Sequence, residues 1–322
     1  MKARQQAQQG AALLTAMIIV TLVAALAAAM TWRQSRAVQV EAAERARVQS
    51  AWMLQGALDW ARLILREDAI ADQNSNGKRN WDHRGEPWAV PLAEAKLSTF
   101  LAAQDSGSGG DASDGPEAFL SGRIEDAQAR YNLRNLMNDT QENRDEQRTL
   151  TRLCDTAGVP SGTADLISRQ LRAALAVPRG DNAPLAPVSV AQLGWFGLSP
   201  EVIAKLEPLL TLLPAATPVN LNTAPREVIA ALLNVDLSSA EILVRSRASA
   251  PLASPQAAET FLPQGTSIPP TRASVTSSYF YVTGRLRLDE HVLQQRSLLN
   301  RNVAIVRVLT RERLTELAKS EP

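Results

Sequence analysis

The sequence predicts an α+β protein: a helix that spans a membrane once and continues as a stalk, a small antiparallel sheet, and an all-α domain inserted between the strands of that sheet. Three observations carry this. Ala11–Met30 holds no charged residue, and from Ala11 to Gln55 there is neither Gly nor Pro. Ser278–Leu288 is aromatic and β-branched with alternating basic residues, and two more strand-like segments follow it. Between Asn138 and about Pro270 the strand signals give way to helical spacing broken by Pro and Gly.

The N-terminal helix comes first. At about 1.5 Å per residue, its apolar part matches a hydrocarbon core roughly 30 Å thick. Lys2 and Arg4 are the only charges before it, so the positive-inside bias puts the N-terminus in the cytoplasm and the rest of the chain outside. The competing reading is a secretory signal cut after Ala27-Ala28-Ala29. The length of the apolar run and the helical pattern beyond it favour a retained anchor. Glu41 with Arg45 and Asp59 with Arg62 have the spacing of intrahelical ion pairs. Ala51, Leu54, Leu58, Ala61 and Leu65 form a narrow apolar seam, which reads as a contact for partner helices, and the stalk is expected to end near Glu67-Asp68.

A short basic leader closed by Gly10, then Ala11-Ala12-Leu13-Leu14 and an uninterrupted apolar helix, resembles the class III signal of type IV pilins and type II secretion pseudopilins. The resemblance implies a prepilin peptidase cut between Gly10 and Ala11, with the helix kept as an inner-membrane anchor. Most members carry Glu at the fifth residue after the cut, where this chain has Thr15. A carboxylate in hydrocarbon needs a partner, and the resemblance implies that this partner is a neighbouring subunit's N-terminal amine. A subunit without that acid fits the end of a filament rather than its middle. In this the chain resembles the K minor pseudopilins of type II secretion (the GspK family). Glu86-Pro87-Trp88-Ala89, Arg130-Tyr131-Asn132-Leu133-Arg134-Asn135-Leu136 and Ser199-Pro200-Glu201-Val202 are similar to stretches of the same family.

The resemblance implies a pilin-like helix and sheet interrupted by a SAM-like (sterile-alpha-motif-like) helical domain. The implied divisions are leader 1–10, transmembrane segment 11–31, periplasmic stalk 32–68, pilin-like parts 69–136 and 271–322, and insertion 137–270. It implies a minor pseudopilin that caps or initiates the pseudopilus tip for protein export across the outer membrane. Its partners would be minor pseudopilins of the I and J types, the pseudopilus and prepilin peptidase, with no nucleic acid.

Past the stalk, Asp72-Gln73-Asn74-Ser75-Asn76-Gly77 reproduces the first half of a calcium loop, with Asp72, Asn74 and Asn76 as oxygen ligands. The twelfth position is His83 instead of Glu, leaving Asp82 or Glu86 as substitutes; the other reading is a solvated turn. No other cofactor is expected. Trp81 or Trp88 should pack back on the stalk. Asp105–Pro116 is a Gly/Ser/Asp run that cannot bury a core. Phe119–Leu133 reads as two strands around a Glu125-Asp126 turn. Helices are expected over Glu146–Ala157, Thr163–Ala176, Val188–Phe196, Pro200–Leu213, Ala224–Leu233 and Ser238–Ser246, with caps at Ser199 and Asn222-Thr223. The final strands should be Ser278–Leu288, His291–Leu299 and Asn302–Leu309.

Composition narrows the function. The chain has 322 residues, net charge +1, one cysteine (Cys154) and two histidines. Charge gives no argument for nucleic acid or anionic lipid. Cys154 reads as a buried small hydrophobe. His83 and His291 do not assemble a nucleophile–base set, so no enzyme is expected. Val219–Pro225 also resembles the entry to helix-hairpin-helix modules, which makes a DNA-binding envelope protein of a competence or type IV pilus system the alternative. The turn Leu233-Asn234-Val235-Asp236-Leu237 lacks the glycines such modules need for close phosphate approach.

Overall fold

The computed structural model describes residues 2–74, 81–97, 118–137, 142–176, 180, 182–288 and 291–314. It falls into two compact units, Met1–Gln55 and Gly56–Pro322. The expected Asp105–Pro116 loop lies outside the described residues.

The first unit is a single helix, the N-terminal part of α1 (Lys2–Asn74). Leu13, Leu14, Met17, Ile18, Leu22 and Leu26 are all more than half exposed. Apolar side chains bare on every side suit hydrocarbon rather than water. The polar atoms of the span turn inward: Thr21 Oγ1 donates to Met17 O at 3.0 Å and Thr31 Oγ1 to Ala28 O at 2.9 Å, satisfying both hydroxyls within the helix. Farther along, Arg45 pairs with Glu41 at 2.5 Å, as the spacing predicts.

The second unit holds a five-stranded antiparallel sheet in the order β1-β2-β7-β8-β9, built from β1 (Leu92–Lys96), β2 (Ala118–Asp126), β7 (Tyr279–Leu288), β8 (His291–Asn302) and β9 (Ile305–Leu314). The C-terminal part of α1 covers one face. Leu58, Ala61 and Leu65 pack there with Trp88, Phe280, Val282, Leu299 and Val306. Trp88 meets Phe280 edge-on, ring centroids 5.2 Å apart. Of the two tryptophans expected to lie back on the helix, Trp88 does so, whereas Trp81 packs on the core of the inserted domain. Arg62 bonds Asp59 at 2.8 Å and donates to Val306 O at 3.0 Å, joining α1 to β9.

Three local expectations are corrected. The helix does not stop at Glu67-Asp68 but continues to Asn74, because Ala69 extends the buried stripe one turn past Leu65. Glu125-Asp126 is not a turn. β2 runs straight through it and pairs with β7 up to Asp126↔Phe280, after which Ala127–Ala129 forms a 3-10 turn. Tyr131, Asn132 and Leu133 are all buried, so the half-buried alternation read there is absent, and the expected second strand shrinks to Tyr131–Asn132.

Between β2 and β7 lie residues 127–278, the inserted domain. Its helices are α2 (Glu142–Thr156), α3 (Thr163–Leu175), α4 (Pro200–Leu206), α5 (Arg226–Leu233) and α6 (Leu237–Ser249), with 3-10 segments at Val190–Phe196 and Pro255–Phe261. They share one core that includes Leu150, Leu153, Ile167, Leu171, Val228 and Leu243. Two short parallel bridges tie the domain together: β3 (Tyr131–Asn132) with β4 (Leu210–Thr211), and β5 (Val219–Asn220) with β6 (Ala273–Ser274). The helix expected over Pro200–Leu213 ends at Leu206, since Pro208 has no N–H to donate to Ala204 O and continue the ladder, and its last residues become β4. Ser199 does cap α4. The cap expected at Asn222-Thr223 is absent: Pro225 occupies the N-cap of α5, and the two polar side chains are used elsewhere.

Candidate functional site

Gly10 and Ala11, the expected processing pair, lie within the backbone span of α1. Thr15 is exposed, and its hydroxyl donates to Ala12 O at 2.9 Å within the helix. A Glu there would carry a charge into hydrocarbon; Thr carries none.

The expected partner seam is corrected. Leu58, Ala61 and Leu65 belong to the core beneath the sheet, so this chain's own strands already occupy them. Leu54 is also buried, while Ala51 is exposed. The spacing was read properly as an apolar stripe; the strands that cover it lie more than two hundred residues away in sequence. Exposed apolar side chains of α1 nearest this stretch include Val48 and Trp52 in the first unit and Leu63 in the second.

The calcium-loop reading is corrected too. Asp72 and Asn74 are helical, and two helical residues apart is about 200° of rotation, so their side chains cannot converge on one ion. Asn76 lies outside the described residues. Asp72 instead comes together with Asp68, one turn earlier, and with Glu86, their carboxylate oxygens within 4.8 Å of one another. Three acidic oxygens at that spacing are the ligand chemistry of a hard divalent cation. Burial and Asp68 push the Glu86 carboxyl up to about 8, although His83 N and Trp88 Nε1 both donate to it, the latter at 2.6 Å.

Beside this trio lies a buried polar network at the neck of the insertion. Asp126 ends β2 and accepts from Ser277 Oγ (2.6 Å), Thr223 Oγ1 (2.5 Å), Asn220 Nδ2 (2.9 Å) and Gln128 N (2.7 Å). Burial raises its carboxyl to about 6 in spite of these donors. Asn220 Nδ2 also reaches Asp82 O, and Asp82 accepts from Ser277 N at 2.7 Å. Arg301 of β8 completes the network, pairing with Asp68 at 2.7 Å and with Asp82 while lying over Phe280. The chain's departure from the sheet, its return and α1 are thus fastened at one place. Sequence reading missed this knot, although it had singled out Val219–Pro225 for its resemblance to a helix-hairpin-helix entry.

The Arg130–Leu136 motif has a related role. Asn132 Nδ2 donates to Ala215 O (2.7 Å) and Asn132 Oδ1 accepts from Leu213 N (3.1 Å), while Asn135 exchanges bonds with both backbone groups of Thr217. Two asparagines therefore hold the 213–217 loop where a regular strand could not. Deeper in the domain, Arg247 donates to Leu221 O and Ala224 O, and Arg272 pairs with Glu146 at 2.6 Å. Cys154 is buried, its thiol pushed up to about 12, which suppresses thiolate chemistry.

The helix pair α5–α6 does turn through Asn234 in a left-handed conformation, like a hairpin. The N-terminus of α6 is already capped by Asp236, which accepts from Ser239 N at 2.9 Å and Ser239 Oγ at 2.7 Å. A carboxylate there repels a phosphate.

The second unit is a helix-backed antiparallel sheet interrupted by a helical domain. Family models described as "Type II secretion system (T2SS), protein K" match residues 129–215 and 219–276. The chain is 30% identical over 264 residues to the type II secretion system protein K of Pseudomonas aeruginosa, covering 76% of this chain and 73% of that one. It belongs to the type II secretion protein K family. A second relative, the protein K of Pectobacterium carotovorum, is 26% identical over 95% of this chain and 96% of its own. The same fold occurs in a crystal structure of the GspK-GspI-GspJ complex from the enterotoxigenic Escherichia coli type 2 secretion system. The match has a TM-score of 0.59 and 17% identity, and covers 85% of this chain and 99% of that one. Protein K is a structural part of the secretion apparatus, a minor pseudopilin, and among the described residues one helix, near the N-terminus, is long and apolar enough to cross a membrane.

Proposed function

We propose that this chain is the tip subunit of a type II secretion pseudopilus, anchored in the inner membrane with a cytoplasmic N-terminus and a periplasmic body. The observation that carries the reading is the helical domain of residues 127–278 seated between two neighbouring strands of a helix-backed sheet. A body of that size leaves no room for another subunit to stack on it, and the uncharged Thr15 suits a subunit with no amine to pair. Lys2 and Arg4 set the orientation. Cleavage falls between Gly10 and Ala11, and catalysis has no part in this reading.

The partners we propose are the I- and J-type minor pseudopilins, on the precedent of the Escherichia coli complex. With Leu58, Ala61 and Leu65 engaged in the chain's own core, the exposed apolar side chains offered to them are, taken separately, Val48 and Trp52 of the first unit and Leu63 of the second. N-terminal sequencing of the mature chain purified from membranes tests the processing and the anchor: Ala11 is expected, and a start at or beyond Met30 overturns the reading. Trp52→Asp combined with Leu63→Asp should abolish co-purification of the I- and J-type subunits without lowering the thermal midpoint. Unchanged co-purification would reject these side chains as the contact.

A further inference from the structure

α1 leaves the apolar run through a short stretch that the assembly reading does not use. Trp32, Arg33 and Arg36 follow Met30 closely, and all three are exposed. Arg36 Cζ lies 5.7 Å from the centre of the Trp32 ring, one turn nearer the span, as suits side chains that lean toward the N-terminus of their helix. Arg33 and Arg36 stand three residues apart and are neighbours on the helix surface. There is no acidic residue from Thr31 to Val40, and among the described residues neither arginine is paired with a carboxylate. The next two arginines are built otherwise. Arg45 meets Glu41 at 2.5 Å and Arg47 meets Glu44 at 3.8 Å. In a chain of net charge +1 the excess is thus local to one turn.

Like charges three residues apart repel, and the outer flank of a span is where arginine is disfavoured, so the pair costs stability unless an anion sits against it. Depth identifies the anion. With about 1.5 Å of rise per residue, Arg33 lies roughly 4.5 Å and Arg36 roughly 9 Å beyond Met30, while the headgroup layer is about 5–7 Å thick on each side. Arg36 leans back toward that layer, and Trp32 lies at its inner edge, the depth that amphipathic rings favour. We propose that Trp32, Arg33 and Arg36 clamp the phosphate of an anionic phospholipid at the periplasmic face of the membrane. Guanidinium forks bind phosphate oxygens in two-pronged fashion, and Trp32 holds Arg36 in place. The clamp fixes the depth of the anchor and resists its withdrawal. It rests on the anchored topology proposed above and adds a ligand to it.

The test solubilises the full chain in non-ionic detergent with equal amounts of phosphatidylglycerol and phosphatidylcholine, and counts the retained lipids by native mass spectrometry. Phosphatidylglycerol should be kept in preference to phosphatidylcholine by roughly tenfold or more, since each arginine near a charged lipid contributes about fivefold. Raising the salt of the wash from roughly 0.05 to 0.5 M should shrink that preference. Arg33→Gln with Arg36→Gln should abolish it, and Arg33→Lys with Arg36→Lys should stay within about threefold of the parent. Arg45→Gln with Arg47→Gln removes the same charge from the paired positions and should leave the preference unchanged. Retention without headgroup preference, or equal loss in the two glutamine variants, overturns the proposal. So does loss of the preference to excess inorganic phosphate at matched ionic strength, which makes this a small-oxyanion site. Membrane fractionation separates this proposal from the anchor: the Arg33→Gln, Arg36→Gln chain should stay membrane-bound, whereas a soluble parent chain defeats the anchor itself.

Discussion

Glu86 makes stability depend on pH in a direction unusual for a carboxylate. Its folded value is about 8 and its ordinary value 4.5, so between the two the folded chain binds more protons than the unfolded one. The stability contributed by the neutral carboxyl is complete below pH 4.5 and is lost as pH rises through 8. Glu86→Gln keeps an acceptor for Trp88 Nε1 and removes the titration. It should match the parent near pH 4 and exceed it at pH 9 by on the order of 3 kcal/mol, checked by urea unfolding at both values. A second residue-scale prediction concerns the β8–β9 turn, where Val303 sits at φ 54°. A β-branched side chain is strained there, and glycine is not. Val303→Gly should raise stability by about 1 kcal/mol in the same assay, opposite in sign to most substitutions.

Among the elements, the helix that carries the membrane anchor also supplies the sheet's core, and the two duties lie on different stretches of it. Leu65 is fully buried beneath Phe280 and its neighbours, so Leu65→Ala should cost about 2–5 kcal/mol and shift the urea midpoint of the sheet. Loss of partner binding with unchanged stability would contradict that assignment. The same helix shows what the sequence could and could not reveal. Its breaker-free stretch from Ala11 to Gln55 and the Glu41–Arg45 and Asp59–Arg62 pairs were legible because intrahelical spacing is local. The three C-terminal strands were legible for a like reason, each having alternation and a short turn. What covered Leu58 and Leu65 was not, because the covering strands are remote in sequence. Asp126 was misread as a turn residue because its four donors come from residues 128 to 277, and local propensity says turn for an acid at a strand end.

At the scale of the whole molecule, the register makes the insertion separable. Asp126 and Phe280 are opposed, so a short hairpin turn can replace residues 127–278 in a variant that also carries Asp126→Ser, since all four donors to that carboxylate leave with the insertion. Such a variant should remain in the membrane fraction and lose most helical signal from its soluble part in far-ultraviolet circular dichroism, and, on the proposed tip role, it should give longer pseudopili by electron microscopy. Filaments of unchanged length would show that termination resides elsewhere. The pairing of β2 with β7 has a mechanical consequence as well. Nine opposed positions join the two strands before either reaches the helical domain, so tension drawn through them is spread as shear along the ladder. The helices above are then passengers rather than links in the traction path, free to vary in bulk while the strands beneath them carry the pull.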